Sequence, residues 1–163
     1  MILAENSFPV RAFPTATGAA ITGDWVSLKG YERAMLVVIE ERGASAVATV
    51  IRVDKATDVA ATGESTGITL NNFWQTGDLA AAPTAATTLF TKGTAAASIT
   101  GTTTQSVGQV TVVEIDTEEL GAFDCLQATV VSSNAAHTIA AFWILYNARY
   151  AEKLANMINP VAD

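Results

Sequence analysis

Strand-length apolar runs, broken at short intervals by turn residues, recur along this chain, and no stretch sustains a long amphipathic helical period. That pattern constrains the fold more than any other feature, because short strands with regular turn signals pack as a sandwich or barrel. Gln109 to Ile115 reads Gln-Val-Thr-Val-Val-Glu-Ile and is a strand by period and by β-branched content. Arg33 to Glu41, Ala46 to Val53, Phe123 to Ser132 and Thr138 to Tyr146 read the same way, and Asp24 to Leu28 and Gly67 to Phe73 as shorter strands. The charged turn Glu40-Glu41-Arg42-Gly43 between two of these runs predicts an antiparallel hairpin, and Lys29-Gly30 a second turn. Asn71-Asn72-Phe73-Trp74 reads as a turn carrying two aromatics, and Ser133-Asn134-Ala135 as another turn. Asp116 to Leu120 has the form of a capped helical turn, with Asp116 as N-cap and Glu119 three residues on.

The expected fold is therefore all-β, an antiparallel β-sandwich or jelly-roll-like domain over 24–150. An extended N-terminal arm precedes it over 1–23 and a short C-terminal helix or tail follows over 151–163. Pro9 and Pro14 fix the arm's backbone and remove two donors. Its apolar residues Ile2, Leu3, Phe8, Val10 and Phe13 require a surface to lie on, either this domain's or a neighbour's. Residues 77–108 are rich in Ala and Thr and are read as short edge strands and long loops.

Composition sets the limits of function. The 163 residues can bury a core without metals or disulfides. They include 30 Ala and 22 Thr, so small side chains inflate the hydrophobic half. Sixteen acidic residues against nine Lys plus Arg give a net charge of −7, and the basic residues are scattered. Nucleic acid is excluded as an expected partner, since phosphate binding requires a basic face, and anionic membrane surfaces are disfavoured on the same ground. The first residues lack the basic and apolar regions of a signal peptide. The longest apolar runs fall well short of the roughly 20 residues that cross a bilayer. A soluble protein made in a cytoplasm is expected.

Candidate chemistry is thin. Cys125 is the one cysteine and lies in an apolar strand, where a buried structural thiol is expected. His137 is the one histidine, read as a surface residue at a turn; a single His cannot make the usual zinc site. Glu114, Asp116, Glu118 and Glu119 form the densest acidic group, readable as a cation or glycosidase site, but the plain reading is a solvated turn at a helix start. Asp54, Asp58 and Glu64 are likewise read as a solvated loop. Phosphate-binding glycine motifs and the Gly-x-Ser-x-Gly elbow are absent from the sequence. Trp143 sits in an apolar run and Trp25 opens a strand, so both are assigned to the core, whereas Trp74, beside Asn71 and Asn72, is the candidate exposed contact. No catalytic residue, cofactor or metal is assigned.

Two blocks carry a resemblance. One runs from Trp25 through Lys29-Gly-Tyr-Glu-Arg-Ala-Met-Leu-Val-Val-Ile-Glu40 to Ala48-Thr-Val-Ile-Arg-Val-Asp-Lys-Ala-Thr-Asp58. The other joins Val112-Val-Glu-Ile-Asp-Thr-Glu-Glu-Leu120, Phe123-Asp-Cys-Leu-Gln-Ala-Thr-Val130 and Ala140-Ala-Phe-Trp-Ile-Leu-Tyr-Asn-Ala-Arg-Tyr150. Covering about half the chain, they resemble the small β-rich head decoration or cement proteins of tailed bacteriophages. The resemblance is one of strand and turn order, and it implies a non-enzymatic virion protein on the capsid surface, made in the host cytoplasm. It would assemble as a dimer or trimer, bind the major capsid protein and bridge capsomers. Expected protein contacts are Ile2, Leu3, Phe8, Pro9, Val10, Phe13 and Trp74. The competing readings are a phage tail or adaptor component, a carbohydrate-binding module using Trp74, and a hydrolase using the acidic group.

Overall fold

The computed structural model describes residues 7–18, 20–77, 79 and 90–148. Eleven strands are present among them: β1 (Ser7–Thr17), β2 (Ile21–Thr22), β3 (Val26–Ser27), β4 (Tyr31–Glu41), β5 (Val50–Ala56), β6 (Asn72–Gln75), β7 (Thr91–Lys92), β8 (Ile99–Thr100), β9 (Gly108–Asp116), β10 (Cys125–Ser132) and β11 (Thr138–Ala148). They form a six-stranded sheet in the order β1-β11-β4-β9-β6-β7 and a five-stranded sheet in the order β2-β10-β5-β8, with β3 also pairing β10. The expected all-β sandwich is the fold.

The pairing is nested. β1 pairs β11, β2 pairs β10, β4 pairs β9 and β5 pairs β8, all antiparallel. The chain is thus a long hairpin rolled so that alternate pairs fall in opposite sheets, which is the jelly-roll topology. That topology corrects the expected hairpin. β4 pairs β11 and β9, β5 pairs β10 and β8, and the Glu-Glu-Arg-Gly segment begins a crossing from one sheet to the other. A local turn signal cannot distinguish a hairpin from a crossover, because both reverse the chain.

Inward-facing residues alternate along β4, β9 and β11. Ala34, Leu36 and Val38 of β4 face Ile51 and Val53 of β5, with Val113 and Ile115, Leu126, Ala128 and Val130, and Ile139, Ala141, Trp143 and Leu145 completing the core. Trp143 is fully buried and Cys125 is buried, both as expected; Trp25 is half-buried. The described part of the expected arm lies on its own domain as β1, with Val10, Ala12 and Phe13 in the core, Phe8 packed against it and Pro9 exposed. β1 is an edge strand, and its prolines and two register shifts suit an edge that must not pair further.

Two other expectations are corrected. The Asn71–Trp74 turn is instead β6, hydrogen-bonded between β9 and β7. The strand at 24–28 shrinks to Val26–Ser27, because Leu28 leaves the ladder to bond Asp124 and to start the turn before Tyr31. That turn uses Gly30 at φ 86°, a conformation glycine adopts without strain. As expected, Asp116 caps the turn at Thr117–Leu120, its carboxylate accepting from the Glu118 amide. Short edge strands within 77–108 are present as β7 and β8, at the outer edge of each sheet. Ile2, Leu3 and the tail at 151–163 lie outside the described residues.

Candidate functional site

Two regions concentrate polar chemistry. The first lies at the end of the sandwich where β4 finishes. The core-facing parity of Ala34, Leu36 and Val38 continues into Glu40, so its carboxylate points inward. Arg42 follows at the same parity and donates to Glu40 Oε1 at 3.3 Å, both side chains being almost wholly buried. The rest of the guanidinium is satisfied by backbone oxygens, at 2.7 Å from Val47, 3.0 Å from Thr104 and 3.4 Å from Ser45. Thr49 donates to Glu40 Oε1. His137 is fully buried here, which corrects its expected surface position. It precedes Ile139, Ala141 and Trp143 at the same parity, so β11's own alternation directs it inward.

His137 Nδ1 lies 3.3 Å from Glu40 Oε1, 3.3 Å from Ser133 Oγ and 3.4 Å from the Thr49 hydroxyl, while Nε2 faces the Ser45 carbonyl at 3.4 Å. Acid, imidazole and hydroxyl are therefore together, but the carboxylate and both hydroxyls converge on one ring nitrogen. A nucleophilic relay needs the acid on one nitrogen and the nucleophile on the other, with an opening to substrate. This cluster has neither. It ties together the segments 42–49, 101–107 and 133–137, through which the chain crosses between the sheets.

Asp54 is a second correction. Instead of standing in a solvated loop it is buried on β5. It takes a two-point bond from Arg52 at 2.7 and 3.0 Å, one from the Gly67 amide at 2.7 Å and one from Thr129 at 3.2 Å. The Asp54 hydrogen bond holds Arg52 above its ordinary value; partial burial opposes this and the charges of Asp54 and Glu64 add to it. Asp58, by contrast, is only half-buried and caps its own loop. Bonds from Thr62 and Ala60 lower its carboxyl below the usual value.

The second region is the outer face of the six-stranded sheet. Antiparallel sheets that face water on one side usually alternate apolar-in and polar-out. Here the outward positions are also largely apolar. Met35 and Val37 on β4, Val110 and Val112 on β9, Phe142 and Ile144 on β11 and Trp74 on β6 are half-buried, and Ile39 is 47% exposed. At the β9–β6 side, Trp74, Phe90 and Val112 line an open cleft of about 290 Å³ with Glu114 at its wall. Glu114 also belongs to an adjoining polar pocket of about 100 Å³ with Arg33, Asn72, Asp116, Glu119 and Tyr146. Arg33 pairs with Asp116 at 3.5 Å. Burial first, and then the Glu114 charge, push the Tyr146 phenol above its ordinary value, with Arg33 opposing them. Lys92 reaches across from β7 to donate to Asn72 Oδ1 at 3.1 Å, its ammonium 5.6 Å from the Trp74 ring centroid.

Of the sequence-expected contact residues, the structure brings Trp74 to this cleft and places Val10 and Phe13 in the core. The cleft's polar half was legible only as an acidic run, since Arg33, Asn72 and Tyr146 arrive from other strands. Among the described residues no cluster of His, Cys, Asp and Glu is arranged to hold a metal, and no helix is long and apolar enough to cross a membrane.

The chain matches no protein-family model and no curated relative. Among solved structures it is similar to the SPBc2 prophage-derived protein YomS, at 12% identity and a TM-score of 0.53, over 90% of this chain and 98% of that one. The structure of infectious bursal disease virus, Gt strain, aligns at 10% identity and a TM-score of 0.27, over 93% of this chain and 42% of that one. The tobacco streak virus coat protein aligns at 8% and 0.22, over 94% and 96%. The likeness to the prophage-derived protein shows a shared fold across nearly the whole of both chains; the two viral structures score too low to add to it.

Proposed function

We propose that this chain is a non-enzymatic virion structural protein of the head-decoration type, which lies on a bacteriophage capsid and bridges its capsomers. The observation that carries the reading is the outer face of the six-stranded sheet. A jelly roll that worked alone in water would gain nothing from Met35, Val37, Ile39, Phe142 and Ile144 on its outward side. A subunit that buries this face against a second copy of itself gains apolar area, and an isologous contact uses the same patch twice. Fold likeness to a prophage-derived protein and the sequence resemblance to decoration proteins support the same reading. The partners are then further copies of this chain, as a dimer or trimer, and the major capsid protein. Several weak contacts made at once would give firm attachment. Ile2 and Leu3 are proposed to add contacts, along with the exposed Pro9 and half-buried Phe8.

The test is co-sedimentation with shells assembled from the major capsid protein of the same genome. The chain is expected to pellet with assembled shells and not with unassembled capsid subunits. Failure to pellet with shells would contradict the reading, and pelleting with isolated tails instead would move the protein to the tail or adaptor class.

A further inference from the structure

We infer that the cleft formed by Trp74, Phe90, Val112 and Glu114, with the polar pocket beyond it, is a docking groove for a segment of a partner protein in which a cationic side chain adjoins an apolar one. This deepens the assembly reading by naming the chemistry of the partner, and rests on that reading for the partner being a neighbouring virion subunit.

The groove has two halves with different demands. The apolar half offers the Trp74 and Phe90 rings and Val112, with Phe90 51% exposed. Exposed aromatic surface in a concave site is the usual anchor of a protein contact. The polar half offers three carboxylates, Glu114, Asp116 and Glu119, against the single guanidinium of Arg33. Arg33 is committed to Asp116, and Lys92 at the far side is committed to Asn72 and the Trp74 ring. Among the described residues, Glu114 and Glu119 have no ion-pair partner. The Tyr146 phenol, held neutral at physiological pH, adds a hydrogen-bonding group facing Glu114. Among the described residues, the missing element is a cation.

Lys92 also shows that the Trp74 ring accepts an ammonium from this chain itself. A partner guanidinium would meet a carboxylate with charge-assisted hydrogen bonds, while its apolar neighbour filled the 290 Å³ cleft. An anionic ligand would face repulsion from the same carboxylates. A neutral sugar would stack on Trp74 but leave the excess negative charge unmatched.

The probe is acetyl-arginyl-leucine amide, titrated while the Trp74 indole N–H is followed by nitrogen–proton correlation NMR. A saturable shift is expected. The Glu114→Gln protein should bind about tenfold more weakly, and 1 M salt should weaken binding by a similar factor. The isosteric acetyl-citrullyl-leucine amide should barely shift the signal. Equal binding of the citrulline peptide, a shift with methyl glucoside but not with the peptide, or no shift with any probe would each overturn the inference. The failures are separable. If shells retain wild-type and Glu114→Gln proteins equally and the peptide does not bind, the groove assignment falls and the assembly reading stands. If the peptide binds but shells do not, the partner is not a capsid subunit and the assembly reading falls.

Discussion

β4 ends in two opposite ways. At its start Arg33 meets Asp116 at 3.5 Å, with side chains 48% and 35% exposed; at its finish Arg42 meets Glu40 at 3.3 Å, with both almost completely buried. An arginine–carboxylate pair thus stands at each end of β4 and serves a different purpose at each. The sealed pair is enclosed by Thr49, Ser133, His137 and three backbone carbonyls, so every charge has a partner and none is open to a ligand. The open pair lies beside carboxylates in excess and beside a cleft. Buried polar groups must be fully satisfied where the fold needs them to specify how chain crossings meet. Groups that serve recognition must stay accessible and keep unmet bonding capacity. Chemistry that looks more catalytic, with an imidazole, an acid and two hydroxyls together, is here the structural end.

The sharpest way to break this contrast is to remove a charge from the sealed end. Arg42→Met leaves Glu40 buried without its guanidinium and should cost about 3–5 kcal/mol in urea denaturation. A loss under 1 kcal/mol would mean that water already reaches the cluster. Gly43→Ala tests the same end sterically. An added Cβ would clash with the Ala136 carbonyl oxygen, so the crossings at 42–49 and 133–137 must separate. A loss of about 1–3 kcal/mol is expected from such overpacking, again by urea denaturation.

Tyr31, buried at the inner side of β4's start, carries a hydroxyl with no hydrogen-bond partner among the described residues, and burial raises its ionisation above the ordinary value of 10.0. Because the folded value is the higher one, the unfolded chain ionises first, so stability holds below pH 10 and falls as pH rises beyond it. Tyr31→Phe should remove that phenol's share of the alkaline loss and stabilise the protein at neutral pH by up to about 1 kcal/mol. Destabilisation by Tyr31→Phe would reveal a bound partner for the hydroxyl. The smallest effect belongs to the open end. Arg33→Ala should change stability by less than about 1 kcal/mol, measured in the same denaturation series. A larger loss would place Arg33 in the framework with Arg42 and erase the contrast.

The sequence showed the strands well and their partners poorly. The period-2 runs of β4, β9 and β11 are visible because each has one face in the core. Jelly-roll pairing is long-range, so Glu40-Glu41-Arg42-Gly43 carried no sign that the chain was changing sheets. The buried cluster was obscured for a different reason. Charged residues near a turn are usually solvated, and that rule overrode the strand parity that carries Glu40, Arg42 and His137 inward. Asp54 looked like a loop residue because the amide of Gly67 that covers it is remote in sequence. Trp74 was picked out by its polar neighbours and does line the cleft, but as a strand residue whose parity opposes buried Phe73. Glu114 stood out only as part of an acidic run. Its pairing with Asn72 across β9 and β6 gives it a place in the groove.

The apolar outer face of the six-stranded sheet is proposed to be covered by another copy of this chain. The most direct test is the molar mass by light scattering across a concentration series, for the wild type and for Phe142→Asp, whose outward ring lies in the middle of that face. The wild type should show two or three times the 17.0 kDa chain mass, and Phe142→Asp should fall to 17.0 kDa while keeping its strand signature in circular dichroism. A wild type that stays at 17.0 kDa throughout, or a Phe142→Asp protein with unchanged higher mass, would contradict the account.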